Sequence, residues 1–550
     1  MADGDGSALA GNAAARGRGC RGGVIATAHP LASEAGLAVL AEGGNAVDAA
    51  VAAAAVLGVA QPMMSGLGGD SFILFRDART GKVHAIDGGG PAPRALSPAS
   101  LKAMGRDCLP ERGLLSASVP GAVDAMCVAH RQFGSGRLPL PRLLARAIAL
   151  AADGVPIARS VGRFFAVNAP LLAATATTRA IFCSGDAALA EGDVLRQPDL
   201  AETLQQVARG GADAFYRGEF ARRLAAYSRA AGGAFDADDL AAYRCAVVEP
   251  IAVRWRGRTV YSNPPVGQGI VLLETLGILD ACARRLGDAA PDAAVHRQVE
   301  ALKLAFADRN RFVGDPRFVA DAVPRLLAAG HLDKRAAAID PGGAWTGRAD
   351  DAARMRDGDT TCFAVADRDG NAVAYITSLS APFGSGEVVA GTGVLMNNRT
   401  GRGFSLDPDA PNCLAPGKRT VSTLHAYVVC DDGGWRLAGG TSGGDGQPQW
   451  NLQVLDAVFG DGRDVQDAID APRWELTPGT DPANLPEPFE VRIDPRLDAA
   501  VVAGLRARGH TISDKPLGML GAAQAVMRDG DGTLRGGADR RADGCVLTLD

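Results

Sequence analysis

The chain lacks any excess of charge that would attract a polyanion. Over its 550 residues the formal net charge is −5, and the pI is near 5.9. Nucleic acids and anionic membranes are bound through clustered Lys and Arg, so we expect neither as a partner. The Ala-rich run of residues 49–60 is apolar but too short to span a bilayer.

Cysteine is present but never in a metal-binding pattern. The ten cysteines are scattered, with no CxxC pair and no Cys/His cluster. Zinc sites depend on such spacing, so we expect reduced core thiols, no metal and no cofactor. The seven His residues show no ligand spacing either, and we expect each, including His29, His84 and His425, to be structural.

The N-terminus lacks the apolar segment of a secretory signal. Residues 1–23 are mostly Gly, Ala and Arg, which is typical of a disordered lead-in. These features predict a cytoplasmic protein. Aromatic residues make up only 5% of the chain, whereas Gly occurs 70 times, so we expect an interior of small, closely packed side chains.

What the sequence does contain is a change of pattern near residue 359. Helical spacing dominates residues 97–339 and strand patterns dominate from residue 360 onward. Residues 340–359 gather Gly, Asp and Arg and lose apolar periodicity, as an exposed linker does. The clearest helical segments are residues 31–42, 138–152, 200–209, 219–231 and 293–309.

The N-terminal part holds strands of its own. Asn45 and Asp48 have the spacing of a capping box at the start of a second helix. Residues 71–76 and 83–87 then have the pattern of a hairpin. Neither end of the chain has enough strands for a separate sheet core, so the two ends should meet in one core.

A Thr pair stands at the start of the first strand after the boundary. Residues 361–367 and 372–378 flank Asp369-Gly370, a favoured two-residue hairpin turn. Pairing Arg368 with Asn371 places Thr361 opposite Ser378 and Thr360 near Leu379, within one register step. The turn thus brings a second hydroxyl beside the pair.

A threonine hydroxyl is a weak nucleophile that needs a base within hydrogen-bond reach. Cleavage of the chain just before Thr360 would free an α-amine, with a pKa of about 8, to act as that base. The polar linker before Thr360 suits such a cleavage. On this segment alone, a Thr pair that only caps a strand remains an open alternative.

The chain resembles the γ-glutamyltransferase family of N-terminal-nucleophile hydrolases from about residue 22 to residue 543. The similar segments lie in family order: "ASEAGLAVLAEGGNAVDAAVA", "GLGGDSF", "RQPDLAETLQQVARGGADAFYRGEFA", "HRQVEALKLAFADRNRFVGDP", "DTTCFAVADRDGNAVAYITS", "FGSGEVVAGTGVLMNN", "APGKRTVST" and "GTSGGDGQPQ". The resemblance implies an α+β fold, the αββα four-layer sandwich, with two antiparallel sheets between helical layers.

The resemblance also implies a proenzyme that cleaves itself between Asp359 and Thr360. A large subunit, residues 24–359, and a small subunit, residues 360–550, would then associate in one core. Thr360 would be the nucleophile, and Ser378 falls where the family places a hydroxyl that hydrogen-bonds it. A homodimer of these heterodimers is one assembly that the resemblance leaves open.

Two further pairs match family positions near the substrate. Gly443 and Gly444 match a Gly-Gly pair whose N–H groups form an oxyanion hole, a role that suits a Gly turn before a helical pattern. Ser422 and Thr423 match a Ser-Ser pair close to the substrate. A plain Gly turn and a plain polar turn are the alternatives.

The match fails where glutathione-handling members hold the glutamyl group. Gly89 stands where they have Arg, Ser380 where they have Asn, and Arg399 and Arg402 replace an acidic or amide pair. Guanidinium groups favour a planar carboxylate and repel an amine. Arg399 and Arg402 are therefore candidate ligands of a substrate carboxylate, or else solvated surface residues.

This pattern is most similar to the oxamate amidohydrolase branch, which releases ammonia from a small carboxylate-bearing amide. The alternatives are a glutathione hydrolase or γ-glutamyltransferase, an acylase for bulkier dicarboxylic amides, and an unprocessed scaffold without activity. A serine protease is disfavoured, because "GTSGGDG" at Ser442 and "TAHP" at His29 lie too far apart in the chain and have no disulfide framework.

Overall fold

Two antiparallel sheets stack face to face at the centre of the chain. The computed structural model describes residues 19–345, 359–478, 488–513, 515 and 521–550. With strands numbered along the chain, the first sheet has the order β20 (Cys545–Leu549), β1 (Gly23–Thr27), β11 (Asp359–Asp367), β12 (Ala372–Ser380), β2 (Asp70–Arg76), β3 (Val83–Gly88) and β8 (Ala246–Val248).

The second sheet also takes strands from both ends of the chain. Its order is β19 (Leu534–Ala538), β18 (Ala523–Arg528), β14 (Gly434–Thr441), β13 (Tyr427–Asp431), β10 (Arg258–Ser262) and β9 (Ile251–Trp255). Shorter strands lie outside the two sheets: β4 (Val155–Pro156), β5 (Cys183–Ser184), β6 (Ala187–Ala188), β7 (Val194–Leu195), β15 (Trp474–Thr477), β16 (Glu490–Ile493) and β17 (Ile512–Ser513).

Helices cover the outer face of each sheet. Against the first sheet pack α1 (Pro30–Ala41), α2 (Ala46–Ala60) and α4 (Ala122–Phe133), and outside these helices in the same core lie α5 (Leu140–Asp153), α9 (Pro198–Tyr216) and α10 (Glu219–Ala230). Against the second sheet pack α12 (Gly269–Leu286), α17 (Gly446–Phe459) and α18 (Val465–Asp470), and outside α12 lie α13 (Pro291–Phe312) and α15 (Ala329–Ala338). The remaining helices are α3 (Pro98–Ala103), α6 (Arg159–Val167), α7 (Ala169–Leu172), α8 (Ala176–Phe182), α11 (Ala237–Ala241), α14 (Val323–Leu326), α16 (Arg399–Gly403) and α19 (Ala499–Ala507).

Alternation along the strands separates the core into three layers. Phe363 and Val365 of β11 point to the helices, whereas Cys362, Ala364 and Ala366 point to the second sheet. The layer between the sheets is rich in Ala, so the sheets approach closely. The predicted αββα sandwich, its single core and its small interior side chains are confirmed.

The N-terminal predictions agree with the structure in most details. Asn45 and Asp48 form the capping box at the start of α2, and β2 and β3 form the predicted hairpin, with Arg76 opposite Val83. The prediction of a disordered lead-in over residues 1–23 is wrong at its C-terminal end, because Cys20 is buried and its N–H donates to the carbonyl of Leu534. Residues 1–18 lie outside the described part of the chain.

The hairpin that carries the Thr pair is shifted by one step from the predicted register. Thr361 lies opposite Thr377 rather than Ser378. The cause is a longer turn: the Asp367 N–H donates to the carbonyl of Asn371, and Gly370 takes a φ of +87°. The Asp367 carboxylate accepts the N–H groups of Asp369 and Asn371, both at 3.0 Å, which stabilises a three-residue loop.

The predicted linker is described only at its ends. Residues 346–358 lie outside the described chain, while Asp359 already belongs to β11. None of the helices in the described ranges is both long and apolar enough to cross a membrane.

Candidate active site

Thr360 lies at the end of β11 where the regular pairing breaks. Asp359 is opposite Ser380 and Thr361 is opposite Thr377, so two residues of β12 face Thr360. Such bulges are common beside active sites. By alternation from Cys362, the Thr360 side chain points between the two sheets, and the residue is 2% exposed.

The second threonine of the pair points the other way. The Thr361 hydroxyl donates to Gln61 Oε1 at 3.3 Å, on the face covered by α2. Thr377, opposite it, donates to the Asp70 carbonyl and accepts from the Ser71 hydroxyl, each at 3.0 Å. The structure therefore separates Thr360 from Thr361, which the sequence alone does not do.

Ser378 and Asp70 share the face of Thr360. The two residues are register partners on β12 and β2, and both alternate with side chains that fill the layer between the sheets. The Ser378 hydroxyl accepts the N–H of Ser380 at 2.7 Å. Ser380 has a φ of +85°, so this bond holds an unfavourable backbone conformation directly after Ser378.

The second sheet supplies the opposite wall of the site. β14 ends at Thr441, and the turn that follows leads into α17. From the first turn of α17, Gln447 Nε2 donates to Thr360 Oγ1 at 3.4 Å. This hydrogen bond joins the two walls of the site directly.

The turn before α17 has the geometry of an oxyanion hole. Gly443 and Gly444 have φ values of +107° and +53°, which glycine adopts readily. Their carbonyls accept the N–H groups of Gly446 and Gln447. Their own N–H groups donate to no residue of the described chain, so they are available to an external oxygen.

A buried polar network fixes this turn. Gln268 Nε2 donates to the carbonyls of Thr423, at 2.7 Å, and Gly444, at 2.9 Å. Gln268 Oε1 accepts from Arg309, which also binds the Asp445 carboxylate. One side chain thus ties the Gly turn to the segment of Ser422 and Thr423.

The segment of Ser422 and Thr423 is buried and held mainly through its backbone. The Ser422 N–H donates to the Val266 carbonyl at 2.8 Å, and its hydroxyl accepts from the N–H of Leu424. His425 accepts from Asn451 Nδ2 at 2.9 Å. Burial lowers the pKa of His425 to about 4, so this imidazole is neutral and supports the segment.

Arg399 is buried beside Asp70. Its Nε donates to Asp70 Oδ2 at 3.3 Å, and Asp70 also accepts the N–H of Gly90. Burial raises the pKa of Asp70 to about 6, although Arg399 opposes this shift. Arg399 Nη2 is buried and finds no acceptor among the described residues.

An unpaired, buried guanidinium nitrogen is costly unless a ligand accepts its hydrogen bonds. The alternative that Arg399 is a solvated surface residue is therefore wrong. Arg402 is also buried, and its Nη1 donates to the Ser380 carbonyl at 2.7 Å, so the same alternative is wrong for Arg402. Arg402 supports the strained backbone next to Ser378.

Gly89 lies at the rim of this site without room for a side chain. Its N–H donates to Asp87 Oδ1, and a Cβ would lie 3.2 Å from Phe72 and Val266. Arg419 binds the other oxygen of Asp87 at 2.6 Å. The loop after β3 is thus anchored through Asp87, which binds both the Gly89 N–H and Arg419.

The sequence reasoning missed Asp70, Gln268, Arg309 and Gln447. Asp70 and Gln447 lie inside the segments "GLGGDSF" and "GTSGGDGQPQ", so the motifs held a signal. Arg309 lies inside a third quoted segment, "HRQVEALKLAFADRNRFVGDP". Gln268 lies in none of them, and its role depends on contacts between positions far apart in the chain.

Among the described residues, two clusters other than the site around Thr360 have side chains that could ligate a metal. They are His296, Glu300 and His510, and Glu274, Asp308 and His331. Lys303 binds Glu300 at 2.7 Å, and Arg335 forms an ion pair with Asp308. Both clusters already contain a cation for a carboxylate, so hydrogen bonds and ion pairs account for them.

The site can support attack by a hydroxyl on a carbonyl group. Thr360 Oγ1 would be the nucleophile, and the N–H groups of Gly443 and Gly444 would bind the oxyanion. In the intact chain the Thr360 nitrogen is an amide and cannot act as a base. No His or Lys of the described chain hydrogen-bonds Thr360, so the chemistry requires a free α-amine.

Comparison with known proteins is consistent with this geometry. The family model described as Gamma-glutamyltranspeptidase matches residues 32–549. A glutathione hydrolase-like YwrD proenzyme of Bacillus subtilis is 36% identical, covering 96% of this chain and 98% of its own. The oxamate amidohydrolase proenzyme of Klebsiella pneumoniae is 36% identical, covering 95% and 98%. The crystal structure of a cephalosporin acylase from Bacillus halodurans is 34% identical, covers 97% of both chains and has a TM-score of 0.88.

Proposed function

The chain belongs to the gamma-glutamyltranspeptidase family, and on that premise we propose that it is a self-cleaving amidohydrolase for small amides that carry a carboxylate. The observation that carries the proposal is the position of Thr360 between two walls. One wall offers the N–H groups of Gly443 and Gly444, and the other holds Nη2 of Arg399; none of these groups has a partner among the described residues.

Processing uses the hydroxyl of Thr360 on its own preceding peptide bond. Oγ1 attacks the carbonyl carbon of Asp359, the bond to the Thr360 nitrogen breaks, and that nitrogen takes up the hydroxyl proton. Water then hydrolyses the ester, leaving a carboxylate on Asp359 and a free α-amine on Thr360. The bulge at this bond interrupts the regular pairing of β11 with β12.

The two fragments stay together because the sheets interleave them. β11 of the small fragment pairs with β1 of the large one, and β12 pairs with β2. In the second sheet β10 pairs with β13. The core between the sheets therefore contains both fragments; assembly of two such heterodimers into a dimer stays a prediction.

Turnover reuses the same atoms with an external amide. The α-amine of Thr360 accepts the hydroxyl proton as Oγ1 attacks the substrate carbonyl, and the Gly443 and Gly444 N–H groups bind the oxyanion. The amine returns the proton to the departing nitrogen, which leaves as ammonia or an amine. Water then attacks the acyl ester and regenerates the hydroxyl.

Arg399 favours a substrate with a carboxylate next to the amide. Its Nη2 lies unpaired on the face shared by Asp70 and Ser378, and a guanidinium binds carboxylate oxygens through charge-assisted hydrogen bonds. The α-amine of a glutamyl group would meet this cation unfavourably. The relatives include both a glutathione hydrolase-like protein and an oxamate amidohydrolase, each 36% identical, so the preference for an oxamate-like substrate over glutathione rests on Arg399.

The proposal is tested with Thr360→Ala and the matched control Thr361→Ala. Both remove one hydroxyl from adjacent residues, but Thr361 points to Gln61 on the opposite face. We expect Thr360→Ala to remain one uncut chain without activity, and Thr361→Ala to be cleaved and active. Cleavage of the Thr360→Ala chain would contradict the assignment. So would the finding that neither variant nor the wild-type protein is cleaved.

The substrate is tested by comparing ammonia release from oxamate with glutamate release from glutathione. We expect the processed wild-type enzyme to hydrolyse oxamate with the higher kcat/KM. Equal or faster turnover of glutathione would contradict the role given to Arg399, while leaving the role of Thr360 intact.

A further inference from the structure

A cavity lined by arginines lies behind the loop that borders the candidate active site. It has a volume of about 340 Å³, and its lining includes Arg94, Arg244, Arg317 and Arg419 against one acidic residue, Asp239. Clefts lined by one sign of charge concentrate ligands of the opposite sign. Three of these arginines pair with Asp87, Asp236, Asp239 and Asp315. Arg244 has no carboxylate partner among the described residues, and this cation makes the cavity attractive to an anion.

Among the arginines of the cavity, Arg419 is held by ion pairs with two carboxylates, Asp87 and Asp315. Burial would lower the pKa of Arg419, but these two carboxylates outweigh burial and raise it. This residue is therefore a permanently charged wall of the cavity.

Arg244 differs from the other three arginines. Its Nη1 donates to the carbonyls of Ala241 and Tyr243, and no carboxylate of the described residues forms an ion pair with it. Within the same described residues, no partner accepts from its Nη2 or Nε. Arg94 binds Asp239 through Nε and forms an ion pair with Asp236 through Nη2. Arg317 binds Asp315 through Nε and Nη2. The Nη1 groups of both arginines are left without an acceptor among the described residues.

The cavity is separated from the candidate active site by one loop. Gly89 lines the cavity, while the next residue, Gly90, donates its N–H to Asp70, the partner of Arg399. On the other side, Arg419 lines the cavity and lies three residues before Ser422. The strand-like bridge between Pro91 and Arg419 joins these two segments.

We propose that this Arg cavity is a second anion-binding site, which takes a small oxyanion such as a carboxylate or phosphate, with Arg244 as its principal ligand. The fork of donors on a guanidinium matches the paired oxygens of such an anion. Binding of this anion does not rest on the proposed function, because oxamate has a single carboxylate and the cavity lies outside the candidate active site.

Binding is tested by isothermal titration of inorganic phosphate and of succinate into the purified processed protein at constant ionic strength. Arg399→Met serves as the background, so that the active-site guanidinium contributes no second site. Arg244→Gln and Arg317→Gln are compared with Arg254→Gln, which changes the net charge equally. Arg254 is exposed on β9, the edge strand of the second sheet.

We expect Arg244→Gln to weaken anion binding by about tenfold, Arg317→Gln by about threefold, and Arg254→Gln not at all. Tighter binding of succinate than of phosphate supports a site for a substrate carboxylate, and the reverse supports a site for inorganic phosphate. Equal affinity of all variants, or no binding to any of them, would overturn the proposal. Failure of oxamate hydrolysis would leave this binding result unaffected.

Discussion

Replacing Gly443 with Ala tests whether the turn before α17 forms the oxyanion hole. Gly443 has a φ of +107°, outside the region that L-residues adopt readily, which costs about 1–3 kcal/mol. An added Cβ would lie 3.0 Å from Trp450 Cη2 and closer still to a neighbouring ring carbon. Overpacking of this kind costs about 1–3 kcal/mol more.

The turn must move to relieve both strains, and its N–H groups move with it. Removal of one oxyanion-hole donor costs about 3–4 kcal/mol, or roughly 10²- to 10³-fold in kcat. We expect a loss of that size in Gly443→Ala, measured as ammonia release per mole of processed protein. Intact mass spectrometry supplies the processed fraction, so a folding or cleavage defect is counted separately.

Gly462→Ala is the matched control. Gly462 has a φ of +70°, but its Cβ would meet nothing within 4 Å. We expect a loss of about 1 kcal/mol in stability and no change in kcat. Trp450→Phe combined with Gly443→Ala should recover part of the activity. A Gly443→Ala enzyme with kcat within about threefold of the wild type would refute the oxyanion-hole assignment.

Three further predictions concern buried ionisable side chains. Arg399→Met should lower kcat/KM for oxamate by roughly 10- to 100-fold, with partial recovery in Arg399→Lys; an unchanged value would remove Arg399 from the substrate site. The pKa of Asp70 is about 6 in the folded protein, against a usual value of 3.8. The protonated Asp70 carboxyl therefore adds to the free energy of unfolding below about pH 3.8, and this contribution is lost as the pH rises through 6. Asp70→Asn should lack this loss of stability, on the order of 3 kcal/mol between pH 4 and pH 7, when denaturation midpoints are measured at each pH. A variant whose stability falls with pH as steeply as that of the wild type would contradict the prediction. Burial lowers the pKa of His510 to about 3, so stability should fall as the pH drops from about 6.5 toward 3; His510→Asn should flatten this acid-side slope, and an unaltered slope would show that His510 does not titrate there.

Much of the fold could be predicted from the sequence because its signals are local. The capping box at Asn45, the β2–β3 hairpin and the break near residue 359 each follow from neighbouring residues, and the structure confirms the first two. The register of the Thr hairpin was one step wrong for a local reason as well. The Asp367 carboxylate binds two N–H groups of the turn, and this selects a three-residue loop over the Asp-Gly turn.

The environment of the site could not be predicted in the same way. Thr360 and Thr361 look equivalent in sequence, and only the alternation of β11 shows which one lies between the sheets. Asp70 meets Arg399 across more than 300 residues of sequence. The burial of both charges, which makes Arg399 a ligand candidate rather than a surface residue, depends on that contact and on the surrounding core.

The most direct test of the central claim is the intact mass of the freshly purified wild-type protein, combined with the N-terminal sequence of each fragment. The account predicts two polypeptides, residues up to 359 and residues 360–550, with Thr360 at the new N-terminus. A single uncut chain that nevertheless hydrolyses amides would contradict it, because Thr360 would then have no α-amine to accept its proton.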